Sequence, residues 1–295
     1  MNRQPHIGFI GLGAMGEPMV GSLRRAGFAV TAAVHRNRAA LERLLTLGVL
    51  EAADPAAAAA ASDLVITCVP DTPQVEEALF GERGLAAGAK MGTLFIDMST
   101  ISPIASRAFA KRLTSMGHRF ADAPVSGGPV RAKEGTLAIM AGSSPEDFSE
   151  AEPILRAMGT PTHVGSVGMG ETVKLVNQLM IGSIMIANCE ALIFAKKAGV
   201  DLDVVRSVIG TATGSNYLLE NWLPKTWFAG SFDGGFAMDL LRKDLNAALE
   251  AAREMKLALP ASAFAYQLYT AQSAEGDGAR DYSAVAKFYE RIAGA

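Results

Sequence analysis

The sequence predicts an α/β domain built on a doubly wound parallel sheet, followed by an all-helical domain. Three observations carry this. A Gly-x-Gly-x-x-Gly turn stands between a short apolar strand and a helix near the N-terminus. Apolar strands then alternate with helical stretches up to about residue 164, as parallel sheets with crossover helices require. Beyond that point the strand pattern stops, and long runs at helical spacing take over.

The first unit reads HIGFI (6–10) as a strand, GLGAMG (11–16) as its turn, a helix to about Gly27 and a second strand, AVTAAV (29–34). That is a βαβ unit. Helices are expected around 38–47, 55–61 and 73–79, and strands at 63–69 and 93–98. A helix over 102–116 precedes strands near 118–125 and 136–142. The boundary is placed at 164, with residues 165–295 forming the helical domain. This domain opens with one long helix, GMGETVKLVNQLMIGSIMIANCEALIFAKKAGV, ending near Gly199. Val173, Val176, Leu179, Met180, Ile184 and Ala187 recur along it at three- and four-residue spacing. A helix apolar on most sides is expected to be buried, in its own domain or against a second subunit.

Composition narrows the function. A net charge of −3 gives no electrostatic reason to expect a nucleic acid or an anionic membrane as partner. No uncharged run reaches the ~18 residues of a membrane span, and the N-terminus is too short and glycine-broken for a signal peptide. The two cysteines, Cys68 and Cys189, lie in apolar runs, which fits buried thiols in a reducing compartment such as the cytoplasm. The four histidines show no metal-ligand spacing.

Gly11, Leu12, Gly13, Ala14, Met15 and Gly16 form the glycine turn. Gly11 permits the bend, Gly13 lets a pyrophosphate approach the backbone, and Gly16 allows the helix to pack close on the strand. In its strand–turn–helix context the motif predicts dinucleotide binding. The end of the second strand, around His35, Arg36 and Arg38, has no acidic residue to accept from a ribose 2′-hydroxyl before Glu42. The arginines suit a 2′-phosphate, which favours NADP over NAD.

Asp122-Ala-Pro-Val-Ser-Gly-Gly-Pro129 falls where a strand should end at the ligand-binding edge. The Ser126 hydroxyl and the exposed N–H groups of Gly127 and Gly128 can hold a carboxylate, although a plain turn uses the same residues. Lys174 enters an otherwise apolar helix three residues after Glu171, with Asn177 and Gln178 one turn on. Apolar surroundings disfavour its ammonium form and bring it toward acid/base range; a lysine snorkelling from a helix end gives the same pattern. Lys243, before Asp244, reads equally well as a solvated helix residue.

Taken together, IGFIGLGAMGEPM, FIDMSTISP, DAPVSGGPVRAKEGTL, GMGETVKLVNQ and GGFAMDLLRKDL resemble the 3-hydroxyacid dehydrogenase family across almost the whole chain. The resemblance implies a Rossmann domain followed by a helical one, and a homodimer or homotetramer formed through the helices. It implies an oxidoreductase acting on a small carboxylate substrate, with Lys174 as catalytic acid/base and Ser126, Gly127 and Gly128 on the substrate carboxylate. Asn177 or Gln178 would orient the substrate, and Phe236 and Lys243 would close the pocket. Val69, Pro70, Gln74, Thr100 and Lys243 would touch the cofactor.

Overall fold

The computed structural model describes residues 4–34 and 38–294. It divides into two units, Met1–Lys174 and Leu175–Ala295. The first opens with β1 (Ile7–Ile10), α1 (Gly16–Arg25), β2 (Val30–Ala33), α2 (Arg38–Leu45), β3 (Leu50–Glu51), α3 (Pro55–Ala60) and β4 (Leu64–Thr67). Next come α4 (Thr72–Phe80), α5 (Leu85–Gly88), β5 (Leu94–Asp97), α6 (Pro103–Ser115), β6 (Arg119–Asp122) and β7 (Val125–Ser126). It ends with α7 (Gly128–Glu134), β8 (Leu137–Gly142), α8 (Pro145–Arg156), β9 (Gly159–Gly165) and the start of α9 (Met169–Lys197).

The strands form one sheet in the order β3-β2-β1-β4-β5-β6-β8-β7, with β9 paired to β8. Buried residues alternate between two cores, one on each face. Ile7, Phe9, Leu64, Ile66, Leu94 and Ile96 face α1, α2 and α8. Ile10, Val65, Phe95 and Phe120 face α3, α4 and α6. A strand covered on both sides must be apolar throughout, which is why these segments read as continuous hydrophobic runs. Side-chain caps set several helix starts: Asp54 Oδ1 accepts from Ala57 N–H at 2.8 Å ahead of α3, with Pro55 as its first residue.

The sheet is mostly parallel, not wholly so. From β3 to β6 all pairs are parallel, but β8 runs antiparallel to both β6 and β7. The reason is connection length. Ala123 and Pro124 alone separate β6 from β7, and residues 127–136 separate β7 from β8, both shorter than the dozen or so residues that a parallel crossover takes. The single strand expected over 118–125 breaks there, because Pro124 has no N–H to donate. The short edge strand β3 and the polar, proline-bearing β9 have no counterpart in the periodicity.

The described residues of the second unit are helical: most of α9, then α10 (Leu202–Ile209), α11 (Met238–Glu254), α12 (Pro260–Gln272) and α13 (Ala286–Ala293). One isolated bridge joins Ala237 and Asp281. Met185, Cys189, Leu192, Leu241, Leu245, Tyr269 and Tyr282 lie in its core. Cys189 is buried and Cys68 half-buried, so the expectation of buried thiols holds fully for one.

The long helix is buried within the single chain along one side. Its buried face is Glu171, Lys174, Leu175, Gln178, Gly182, Met185, Cys189 and Leu192. The periodic positions singled out from the sequence lie on the other side: Val173, Val176, Met180 and Ala187 are exposed, and Leu179 and Ile184 half-buried. The helix is long and apolar enough to cross a membrane by length and composition, with 44% of its most apolar window buried in the chain.

Tyr269 is fully buried and donates to Gly182 O of α9 at 3.0 Å. Tyr269→Phe keeps the ring and deletes this bond, so urea unfolding should show a loss of about 1 kcal/mol. An unchanged midpoint would mean that the hydroxyl does not tie α12 to α9.

Candidate active site

The three glycines of the first turn do different work. Gly11 has φ +107°, and a Cβ there would lie 2.1 Å from Cys68 O. A Cβ on Gly16 would lie 1.7 Å from Gly11 O. Both are therefore required by the turn itself. Gly13 is exposed, and a Cβ on it would meet nothing within 4 Å. The turn itself does not require this glycine, which leaves the backbone open where α1 begins. A dinucleotide diphosphate fits that cradle. Leu12 is buried, Met15 half-buried and Ala14 exposed.

Of the residues expected to read the ribose, His35 and Arg36 lie outside the described residues. Arg38 begins α2 and is exposed. Its guanidinium forks onto Glu51, one nitrogen to each carboxylate oxygen, and its Nε lies 3.6 Å from Glu42. The sequence reading treated Arg38 as available for a phosphate; in the structure it is paired within the chain.

At the carboxyl ends of β4 and β5, Asp97 Oδ1 accepts from Thr67 Oγ1 at 2.8 Å and from Ser99 N–H at 3.1 Å. Ser99 Oγ accepts from Val69 N–H at 2.9 Å. This chain of bonds draws together the loops holding Val69 and Thr100, both expected to meet the cofactor. Pro70 and Gln74 are exposed beside it. Asp97 and Ser99 were missed; the signal was polar residues placed directly after a buried strand in FIDMST.

Ser126 is half-buried at the end of β7, paired to Ala138 of β8. Gly127 (φ +132°) and Gly128 (φ +71°) follow, both in backbone conformations that favour glycine. Lys174 is only 7% exposed. Its helix is pinned at the start by two carboxylates to which sequence reasoning assigned no role. Asp122 accepts from Gly168 N–H at 2.6 Å and Glu171 N–H at 2.8 Å. Glu171 Oε2 accepts from Ile101 N–H at 3.1 Å. Burial pushes the Asp122 carboxyl up to about 6, opposed by the N–H groups of Gly168 and Glu171 and reinforced by nearby Asp97.

In the second unit, Asn177 Nδ2 donates to Gln178 Oε1 at 2.9 Å, and Gln178 Nε2 donates to Asp244 Oδ2 at 2.7 Å. Lys243 Nζ lies 2.8 Å from Asp244 Oδ1. Asp244, buried and not foreseen, thus joins three residues that sequence reasoning had selected separately. Phe236 belongs to another cluster. Its N–H donates to Asp281 Oδ2 at 2.9 Å, its ring packs edge-on against Tyr282, and Asp281 also accepts from Trp222 Nε1 at 3.0 Å.

Comparison with known proteins bears on the family. Residues 6–170 match the NAD binding domain of 6-phosphogluconate dehydrogenase, and residues 168–289 match the NAD-binding domain of NADP-dependent 3-hydroxyisobutyrate dehydrogenase. The chain is 39% identical to 2-(hydroxymethyl)glutarate dehydrogenase of Eubacterium barkeri, covering 100% of this chain and 98% of that one. It is also 39% identical to 2-hydroxy-3-oxopropionate reductase of Escherichia coli (strain K12), covering 97% and 98%. Among solved structures, Mycobacterium tuberculosis 3-hydroxyisobutyrate dehydrogenase with L-serine superposes with a TM-score of 0.90 at 31% identity, covering 97% and 99%. With family models matching residues 6–170 and 168–289 and relatives 39% identical over nearly their whole length, the chain belongs to the 3-hydroxyacid dehydrogenase family and is an NAD(P)-dependent oxidoreductase acting on CH–OH groups.

Proposed function

We propose that this enzyme interconverts a small 3-hydroxy acid and its semialdehyde or keto acid, with Lys174 as general acid/base. Substrates of the 3-hydroxyisobutyrate and 2-hydroxy-3-oxopropionate kind are the first expected. The observation that carries the reading is a lysine 7% exposed, one turn into a helix whose start is fixed by two buried carboxylates. A surface lysine has no use for such an anchorage. A bound nicotinamide supplies the hydride acceptor or donor.

The chain's own groups do the rest. The Ser126 hydroxyl and the N–H groups of Gly127 and Gly128 grip the substrate carboxylate. Lys174 takes the proton from the hydroxyl oxygen on oxidation, and returns it to the carbonyl oxygen on reduction. Its charged form also stabilises negative charge at that oxygen. Asn177 or Gln178, linked to Asp244, orients the substrate, and Phe236 and Lys243 are the further ligand-side residues that the family resemblance implies. Gly11 to Gly16, Val69, Pro70, Gln74 and Thr100 receive the nucleotide. NADP is the expected form; Arg38 must then exchange Glu51 for a 2′-phosphate, at a position exposed enough to allow it. The outward apolar side of α9, with Val176 50%, Met180 57% and Phe194 77% exposed, supports a homodimer or homotetramer. A buried Cys189 thiol fits a cytoplasmic protein.

Lys174→Ala should lower kcat by about 10²–10⁴-fold, the range of a general acid/base, with nucleotide affinity kept. Normal turnover in that variant would remove Lys174 from the chemistry. Gly13→Ala should fold as stably as the parent, since its methyl meets only open space. Its nucleotide Kd should rise by roughly 10-fold or more, about 1.4 kcal/mol; unchanged binding would show that the diphosphate lies elsewhere. A kcat/KM comparison over 3-hydroxyisobutyrate, glycerate, serine, threonate and the matching semialdehydes, with both nucleotides, identifies the substrate. A maximum on glyoxylate or succinic semialdehyde would overturn the substrate class named here.

A further inference from the structure

Asp122 takes no part in the proton transfer proposed above, yet it is wholly buried at the point where β6 hands the chain to the Ser126 turn. Its carboxylate reaches across to α9. One oxygen accepts from Gly168 N–H at 2.6 Å and the other from Glu171 N–H at 2.8 Å. The surrounding backbone is shaped to it. A Cβ on Gly142 would lie 2.6 Å from Asp122 Oδ1, and one on Gly170 would lie 2.7 Å from Oδ2. Two glycines thus clear the space a carboxylate needs. Lys174 follows Glu171 by three residues on the same helix, so the second bond fixes the turn from which the lysine departs.

We infer that Asp122 is a positioning residue that sets the distance between the carboxylate-binding turn at Ser126 and the amine of Lys174. The inference rests on the reading of Lys174 as acid/base. Its physical content is that one rigid side chain belongs to both halves: through its backbone to the strand leading into Ser126, and through its carboxylate to the helix bearing Lys174. Small misplacement of reacting groups costs catalysis far more than it costs folding.

Ionisation gives the device a signature. Beside Asp122 stand Asp97, its register partner on β5, and Glu171 of α9, whose N–H it accepts; Lys174 follows three residues along that helix, and Arg107 of α6 lies against Gly168. Across the sheet its partner on β8 is Gly142, while Asp147 and Glu150 of α8 are engaged by Arg119 at the far end of β6. With its carboxyl at about 6, Asp122 is ionised and accepts both N–H groups at neutral pH. Below that it protonates, and one oxygen stops being an acceptor. The sign for stability is opposite. A carboxyl raised above its unfolded value binds its proton more tightly when folded, so its contribution to stability grows as pH falls from about 6 toward 4. Were Asp122 only a support for the fold, turnover would be unaffected over this range, because its contribution to stability rises on acidification. A positioning carboxylate loses turnover on acidification while its share of stability increases.

The test is Asp122→Asn in the full chain, with Lys174→Ala alongside, using the best substrate of the panel and its preferred nucleotide. Turnover and melting temperature are followed from pH 5 to 8, and nucleotide affinity by fluorescence titration. The asparagine keeps the shape but turns an N–H toward an N–H. Its kcat should fall by ~10²-fold, with nucleotide Kd unchanged, melting temperature held at pH 7.5, and the acid limb near pH 6 flattened. Should the variant fail to fold, the parent's own profile decides: turnover must drop through pH 6 without a matching drop in melting temperature. Parental turnover in Asp122→Asn beside an inactive Lys174→Ala overturns the positioning role alone. Parental turnover in Lys174→Ala overturns the reading beneath it.

Discussion

Two buried carboxylates stand opposite one another at the carboxyl ends of adjacent parallel strands, and the functional edge of the first unit hangs from them. Asp97 and Asp122 are register partners on β5 and β6, both fully buried. Placing two acids side by side in a dry sheet is costly unless each is satisfied by donors. Here the donors are the loops themselves: Thr67 and Ser99 on Asp97, and the backbone before and within α9 on Asp122. The expense of burial therefore becomes rigidity. The segments around Ser99 and the start of α9 are each tied to one of the two carboxylates.

The same economy recurs in the helical unit. Asp244 collects Gln178 and Lys243, while Asp281 collects Trp222, Ser283 and the backbone of Phe236. In both clusters a half-buried side chain, Lys243 in one and Trp222 in the other, is held by a buried aspartate. Orientation within a fraction of an ångström is what such sites need, and a short, stiff carboxylate supplies it better than apolar packing can.

How much of this could be read from the sequence follows from what periodicity reports. Strands β1, β2, β4 and β5 were legible because burial on both faces forces continuous apolar runs, and the glycine turn because Gly11 and Gly16 have no room for a side chain. The antiparallel return through β7 and β8 was not, since strand polarity depends on connection length and not on hydrophobicity. The outer face of α9 misled for a different reason. Val173, Val176 and Met180 form the more regular apolar stripe, whereas the inward face carries Glu171, Lys174 and Gln178, whose polarity hides their burial. Polar residues buried for a purpose are the ones that pattern-reading assigns to solvent. Asp97, Asp122, Asp244 and Asp281 were overlooked on that account, and Arg38 was credited with a freedom that only its pairing with Glu51 reveals as absent.

Family membership fixes the reaction more firmly than the substrate, and the distribution of constraint explains why. On the function proposed here, the glycine turn, the Ser126 loop and the start of α9 would deal with features shared by a whole substrate class: a diphosphate, a carboxylate and an oxygen that gains or loses a proton. Each demands a particular donor geometry, and a change there removes function outright. Discrimination between one small acid and another depends on the far end of the molecule, where a methylene more or less is worth only about 1–3 kcal/mol. Contacts of that size can drift by single substitutions without disturbing the anchored edge. Relatives equally similar to this chain can therefore act on acids of different length, and substrate identity resides in the side chains least constrained by the fold.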